Sequence, residues 1–561
     1  MRISTGRVLF HLAGSVLAVL LAWQAWSLHV TPTDLPSGDA GYYAAQALDL
    51  RALLLEGAWG PLLQRLTWPE LHPPLHPLLL ALWSSTLGVT QQALRSYGAA
   101  VTLISLVVAL PLLGRRIAPA GGAQVGLLTA LVLLLGPTLP THLFTCMTEP
   151  TSLLTWVLVL GLALNGWQAP RPGAQLLVGA ALLAAGLARF TNLPLLLAPL
   201  LLADLLTRGA PPWRARLLRW ACWLAPSLLV GGAWWLVEPA LPRAIAAFTV
   251  TGQPTPSGTA AAWLWAPWAI ATRSVGNWPV ALGLMGLFVL GLVPMLTRRE
   301  HHHNLILGPM RLDLRLGRPP GLALLQLGVL VGLAALTVHP YKVTRNLSTL
   351  APLLILASLL PWLDSRLRWR GRPATDWGSL AAAGVLLVAQ WGLQPSQSPD
   401  GDKPASTLSR ITNDYPDHLP QPEATALLEA LVPRARAGPW LLVRGWGYPD
   451  SLLHVWAADL DLDAELITGW DPAGLTVEPG GAHTAVVVLV SPPFPPKKRS
   501  RRDDQRQTAA TLEAKGCHLL PPARTEWGWR LEVLHCTVDS VDSARQPVTR
   551  DDLVQRELKL R

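Results

Sequence analysis

Charge is the scarcest commodity in this chain of 561 residues: Asp, Glu, Lys and Arg together make up 14%, against about a quarter in a soluble domain. That shortage excludes a wholly water-soluble protein and makes a bilayer the expected solvent for much of the chain. Four cysteines are too few for a disulfide scaffold. No phosphate-binding glycine loop, Gly-x-Ser-x-Gly elbow or zinc-protease helix motif occurs, so nucleotide chemistry is not indicated. The formal net charge of +10 comes without a basic stripe interleaved with aromatics, so no nucleic-acid partner is expected.

Long apolar runs fill the first 395 positions, and charge and loop-like sequence dominate the rest. Eleven runs are long enough to cross: Val8–Leu28, Tyr97–Leu113, Ala123–Thr141, Thr151–Gly166, Ala174–Ala188, Leu193–Leu206, Trp220–Val237, Val280–Leu296, Leu322–Val338, Leu347–Leu363 and Trp377–Leu393. The first follows Arg2 and Arg7 without a small-residue cleavage site, which reads as an uncleaved span. A twelfth run, Leu75–Leu87, is short, follows His-Pro-Pro and holds Pro77, so it is expected to lie along the interface.

Arginine placement supports that demotion. With a cytoplasmic N-terminus and eleven crossings, eighteen basic residues fall inside, among them Arg115, Arg116, Arg214, Arg216, Arg219, Arg311, Arg315, Arg366 and Arg368. Eight fall on the longer outer loops, a positive-inside pattern. This topology brings residues 29 to 96, 142 to 150 and 339 to 346 to the non-cytoplasmic face and places the tail there too. The stretch from Ala174 to Leu206 must then break near Phe190 to Pro194.

Candidate chemistry gathers at those outer loops. Asp39, in Ser37-Gly-Asp-Ala-Gly-Tyr-Tyr43, follows the first span closely, and flanking glycines let backbone approach a ligand. It is a candidate base, and a helix N-cap for Tyr42 onward, leading into a surface helix from Ala44 to Glu56, explains it equally. Glu149 precedes Pro150 at the start of a span, where a carboxylate also suits a helix N-terminus. Two acids on one membrane face suit acid/base work. Arg189, Lys342 and Arg345 defy the orientation rule at outer span ends, which suits either a lipid-linked phosphate or snorkelling to headgroups. The consecutive His301, His302 and His303 sit in an expected cytoplasmic loop and lack a second ligand group, so no metal site is assigned.

The order of these features resembles the GT-C superfamily of membrane glycosyltransferases, in particular the protein O-mannosyltransferase and lipid A aminoarabinose transferase branch. The resemblance spans about residues 8 to 395. It rests on Asp39 with Tyr42 and Tyr43, on Leu71-His-Pro-Pro-Leu75, on Arg95, on Thr148-Glu-Pro150 and on Tyr341-Lys-x-x-Arg345. Two positions depart from it: Ala40 stands where many relatives carry the second acid of a pair, and His72 stands where some carry lysine. The resemblance implies transfer of a sugar from a polyprenyl-phosphate donor to an acceptor hydroxyl on a lipid, glycan or protein, with inversion. Asp39 would act as base, Glu149 would orient a substrate, and Lys342, Arg345 and Arg189 would neutralise the phosphate. Tyr43, His72 and Tyr341 would line the site. No cofactor is implied, and a divalent cation is left open without being indicated. A polytopic transporter or lipid flippase is the alternative, disfavoured because the ionisable groups lie at span ends and no internal repeat is visible.

The expected architecture is therefore an all-α polytopic membrane domain of about eleven helices over residues 1 to 395, with interfacial helices in the first outer loop. A linker over 396 to 420, a small α/β domain over 421 to 538 and a charged tail over 539 to 561 follow. Strands are expected at Trp440–Val443, Ala464–Ile467, Ala485–Val490 and Leu531–Cys536. Helices are expected at Glu423–Val432, Pro449–Leu460 and Arg506–Lys515, with a solvated basic loop at Lys497–Arg502 and a polar strand face at Asp459, Asp461 and Asp463. Cys517 and Cys536 either form one disulfide, if that domain lies outside the cytoplasm, or stay reduced.

Overall fold

A computed structural model describes residues 38–67, 73–119, 121–134, 146–168, 171–206, 212–237, 278–297, 301–307, 310–316, 321–338, 348–362, 366–369, 372–373, 439–445, 465–468, 475–478, 483–491, 499–520, 523–524, 530–539 and the single positions 16, 19, 20, 23, 143 and 541. The expected span Trp377–Leu393, most of Val8–Leu28, both helices at Glu423–Val432 and Pro449–Leu460 and the Asp459–Asp463 strand face lie outside the described residues. Two compact units emerge. One comprises Met1–Thr31, Leu63–His76 and Ser96–Asp414, the other Pro32–Leu62, Pro77–Arg95 and Tyr415–Arg561.

Helices carry the first unit. In chain order the described helices of the molecule begin with α1 (Gly38–Leu55), α2 (Trp59–Thr67), α3 (Leu75–Leu87) and α4 (Gln91–Leu103). A π-helical turn, Ile104–Ala109, joins α4 to α5 (Leu110–Ile117). Then come α6 (Gly122–Leu134), α7 (Glu149–Gln168), α8 (Pro172–Ala188), α9 (Asn192–Leu206), α10 (Trp213–Val237), α11 (Trp278–Thr297), α12 (Leu322–Val338) and α13 (Leu350–Leu359). Each expected apolar run within the described residues is helical. Gln92–Ile117, 26 residues long, is the one described helix that is long and apolar enough to cross a membrane by length and composition, and shorter apolar helices accompany it.

Small residues set how closely these helices approach. A Cβ added to Gly122 would lie 1.8 Å from the Gly114 carbonyl oxygen, and one added to Gly126 would lie 2.5 Å from Pro111 Cα. The α5–α6 hairpin therefore packs backbone against backbone. Gly179 of α8 meets the Cys222 carbonyl of α10 in the same way, at 2.3 Å. Leu106, Leu110, Leu131, Val159, Leu182, Leu196, Trp223 and Leu353 belong to the continuous core these contacts leave between the helices. Inside it, two polar side chains bond across helices: Trp223 donates to Gln175 Oε1 at 2.8 Å, and Gln326 Nε2 to the Gly291 carbonyl at 2.8 Å.

One sheet in this unit corrects the all-α expectation. His301–His303 do not sit in a loop. They open strand β1 (His301–Leu307), which pairs antiparallel with β2 (Met310–Leu316), followed by β3 (Arg366–Trp369) and β4 (Arg372–Pro373) in one four-stranded sheet. The residues from Met310 to Leu316 alternate apolar and polar without exception, a period that suits a pleat and not a helix.

In the second unit, α1 extends further back than expected, starting at Gly38, so Asp39 lies within its first turn and not ahead of it. Arg51 Nε donates to the Ser84 carbonyl at 3.3 Å, and Trp83 Nε1 to the Ala93 carbonyl at 3.2 Å. The tail contributes a sheet ordered β6 (Glu465–Thr468), β5 (Trp440–Gly445), β7 (His483–Ser491), β10 (Arg530–Val538), β8 (His518–Leu519), with β9 (Ala523–Arg524) also on β10. β5 runs parallel to both β6 and β7, and β10 antiparallel to β7. From Val486 to Val488 successive residues of β7 are all 0% exposed, so both faces of that central strand are covered. Helix α14 (Arg499–Ala514) supplies Ala509 and Leu512 to one side. It takes Arg499 to Arg502 into its first turn, where a loop was expected. Cys517 and Cys536 form a disulfide, one of the two states left open by the sequence.

Candidate functional site

Glu149 is the first residue of α7, entered through a bend at Cys146–Thr148. It is 1% exposed. Its Oε1 stands 3.4 Å from Arg189 Nη1, at the outer limit of a hydrogen bond, and its Oε2 has no hydrogen-bond partner among the described residues. Arg189 retains 27% side-chain exposure. A carboxylate at a helix N-terminus gains from the unpaired N–H groups and the dipole there, yet an unpaired buried oxygen costs on the order of 1–3 kcal/mol.

Arg189 is in position because α8 ends beneath it. Its backbone is extended (φ −160°, ψ 122°) and its N–H still bonds the Ala185 carbonyl. The break expected between Phe190 and Pro194 thus falls at Arg189 to Thr191, with Pro194 tolerated in the first turn of α9. Asn192 locks the corner. Its Nδ2 donates to Ser152 Oγ and to the Ala185 carbonyl, both at 3.1 Å, while Trp156 Nε1 donates to its Oδ1 at 3.0 Å. One amide thereby joins α7, α8 and α9 one turn below Glu149.

A second brace holds the bend before α7. His76 is 0% exposed, with Nε2 2.8 Å from the Cys146 carbonyl and Nδ1 2.9 Å from Thr151 Oγ1. Tyr97 completes the set with its hydroxyl 2.8 Å from the same Thr151 oxygen and its ring edge-on to the imidazole. A carbonyl only accepts, so the His76 proton sits on Nε2. Nδ1 then accepts from Thr151, and Thr151 in turn accepts from Tyr97. Burial lowers the His76 pKa to about 4, the hydrogen bond to Cys146 opposing the shift only in part, which keeps the ring neutral.

The other sequence candidates divide between the second unit and the segments outside the described residues. Asp39 and Tyr43 stand one turn apart on α1, so they share a helix face, and Tyr43 is buried at 6% exposure. Glu149 and Arg189 belong to the first unit. His72, Tyr341, Lys342 and Arg345 lie outside the described residues. Among the described residues no cluster of three or more His, Cys, Asp or Glu side chains could hold a metal ion. What the site can do chemically is accept a hydrogen bond from a hydroxyl or ammonium group at Glu149 Oε2 beside a guanidinium.

No protein-family model matches the chain, and no curated protein matches its sequence. Solved structures do match its fold. The ArnT of Cupriavidus metallidurans bound to undecaprenyl phosphate superposes with TM-score 0.57 at 15% identity, covering 94% of this chain and 98% of that one. The apo ArnT of the same organism gives 0.55 over the same shares. A weaker likeness, TM-score 0.47 at 12% identity, links it to the Archaeoglobus fulgidus oligosaccharyltransferase over 81% of this chain and 64% of that one. The chain has the fold of this ArnT along nearly its whole length.

Proposed function

We propose that this chain is a multi-pass membrane glycosyltransferase that moves a sugar from a polyprenyl-phosphate donor to an acceptor hydroxyl. The buried, half-satisfied Glu149 carboxylate beside Arg189 carries the reading, since it offers an acceptor for a sugar hydroxyl next to a cation suited to phosphate. The fold shared along nearly the whole length of ArnT, whose structure holds undecaprenyl phosphate, supports the donor class.

In this reading Asp39 removes the acceptor proton as its oxygen attacks the anomeric carbon, and the sugar–phosphate bond breaks with inversion. Arg189, Lys342 and Arg345 neutralise the departing polyprenyl phosphate, an interaction strengthened where water is scarce. Glu149 orients a sugar through its second oxygen, and Tyr43, His72 and Tyr341 line the site. The N-terminus is cytoplasmic, and residues 421 to 538 form an extracytoplasmic domain.

The test is transfer of label from polyprenyl-phosphate sugars to membrane acceptors in vesicles carrying the protein. Asp39→Asn is expected to slow transfer by ~10²–10⁴-fold, the usual contribution of a general base. Glu149→Gln is expected to slow it by about 10- to 100-fold, the worth of a charged hydrogen bond. Undiminished transfer by Asp39→Asn would sink the mechanism.

A further inference from the structure

Glu149 and Arg189 lie 40 positions apart in the chain, and their contact at 3.4 Å is too long to hold itself in place. Their spacing is set by whatever fixes the start of α7 against the end of α8. Asn192, the first residue of α9, does this. It is 3% exposed, and its three side-chain hydrogen bonds among the described residues all cross to other helices. Trp156 Nε1 only donates and the Ala185 carbonyl only accepts, so Oδ1 faces the first and Nδ2 the second. The remaining N–H goes to Ser152 Oγ.

Those partners bracket the site. Ser152 stands one turn after Glu149 in α7. Ala185 supplies the carbonyl that also takes the Arg189 N–H, and the Asn192 backbone N–H bonds the Arg189 carbonyl at 2.9 Å. One residue is thus tied on one side to the turn that carries Glu149 and on the other to both ends of the turn that carries Arg189. An asparagine at a helix start ordinarily caps its own helix, whereas this amide is wholly engaged by its neighbours. The corner has little room to shift, since a Cβ added to Gly186 of α8 would lie 3.3 Å from Leu193 Cβ of α9.

We propose that Asn192 is a positioning residue for sugar transfer, fixing the Glu149 carboxylate against the Arg189 guanidinium at a spacing that lets one substrate engage both. The proposal rests on the reading above, in which Glu149 orients the sugar and Arg189 meets its phosphate. Geometry is the reason such a residue is needed, because a misplacement of about 1 Å can cost about 10²-fold in rate. Released from this corner, the pair is free to close into a forked carboxylate–guanidinium bridge, which withdraws both groups from substrate.

The full-length protein in vesicles tests this through two double-mutant cycles, each normalised to folded protein. Transfer from labelled polyprenyl-phosphate sugars is crossed with Glu149→Gln, and binding of undecaprenyl phosphate with Arg189→Gln. Asn192→Leu, similar in volume but unable to hydrogen-bond, is expected to slow transfer by about 10- to 100-fold and to weaken binding by about tenfold. In the Glu149→Gln and Arg189→Gln backgrounds it should add less than about threefold, because residues that act through one another are not additive. Ser152→Ala removes only the bond to α7 and should show the same non-additivity on an effect of about three- to tenfold. It carries the cycles if Asn192→Leu does not fold. Effects that multiply in full with those of Glu149→Gln and Arg189→Gln, as a general loss of stability would give, overturn the proposal and leave the functional reading intact. So does native transfer and binding by folded Asn192→Leu. If Glu149→Gln and Arg189→Gln are themselves silent, the functional reading fails and this proposal falls with it.

Discussion

One imidazole ties together α3, α4 and the bend that presents Glu149. Replacing His76 with leucine removes the ring's hydrogen bonds to the Cys146 carbonyl and to Thr151 Oγ1, at a cost of about 2–4 kcal/mol. Thermal unfolding in detergent should register it, with His76→Gln losing less. Titration follows with a definite sign. The folded pKa of about 4 lies below the ordinary 6.5, so the unfolded chain takes up the proton first. Stability from this group is full above pH 6.5 and declines as the pH falls toward 4, by on the order of 3 kcal/mol. The slope of melting temperature across that window should flatten in His76→Gln, and a slope unchanged by the substitution would refute the assignment. None of this was legible beforehand. The sequence drew attention to His72, which takes the place of a lysine, while the partners of His76 lie 70 and 75 positions away, beyond any local spacing. Glu149 and Arg189 were legible because each is a charge interrupting apolar sequence, and such interruptions at span ends need a physical reason.

At the scale of elements, apolar runs announced helices because a helix alone satisfies its backbone without water, and the ends were marked by Pro150 and the arginines. The sheet β1–β4 was missed for a different reason. Its arginines were spent on orientation, so the strict alternation from Met310 to Leu316 went unread. The tail strands were read because their valine- and leucine-rich runs are short and bounded by turn residues. Close packing gives one prediction here: Gly122→Ala sets a methyl 1.8 Å from the Gly114 oxygen, so α5 and α6 must part. A loss of at least about 1–3 kcal/mol is expected, measured as a lowered melting temperature, whereas Gly283→Ala, with nothing among the described residues within 4 Å, should be neutral. The disulfide gives another. Cys517 and Cys536 close a separation of 19 residues, and the Cys517→Ser/Cys536→Ser pair should lower the stability of the tail by about 3 kcal/mol. Denaturant unfolding of the tail would show no change if the bridge were idle.

For the whole molecule, shared fold at 15% identity has a physical basis. In helices bathed in lipid many apolar residues serve equally, so the order of spans and of the few charges between them carries the architecture. That order was readable, and it hinges on α3. At 13 residues and 1.5 Å per residue, α3 is about 20 Å long, short of the roughly 30 Å of hydrocarbon, whereas Gln92–Ile117 at 26 residues reaches about 39 Å. The short helix should therefore lie on one side and the long one should cross. In a chain whose four native cysteines are replaced by serine, single cysteines in place of Glu56 and of Thr90 are expected to react with a membrane-impermeant maleimide from the same side of sealed vesicles. A cysteine in place of Pro119, past the end of the long helix, should react only from the other. Labelling of positions 56 and 90 from opposite sides would mean that α3 crosses. Every basic loop after it would then change sides, and Asp39 and Glu149 could not meet one substrate on one face of the membrane.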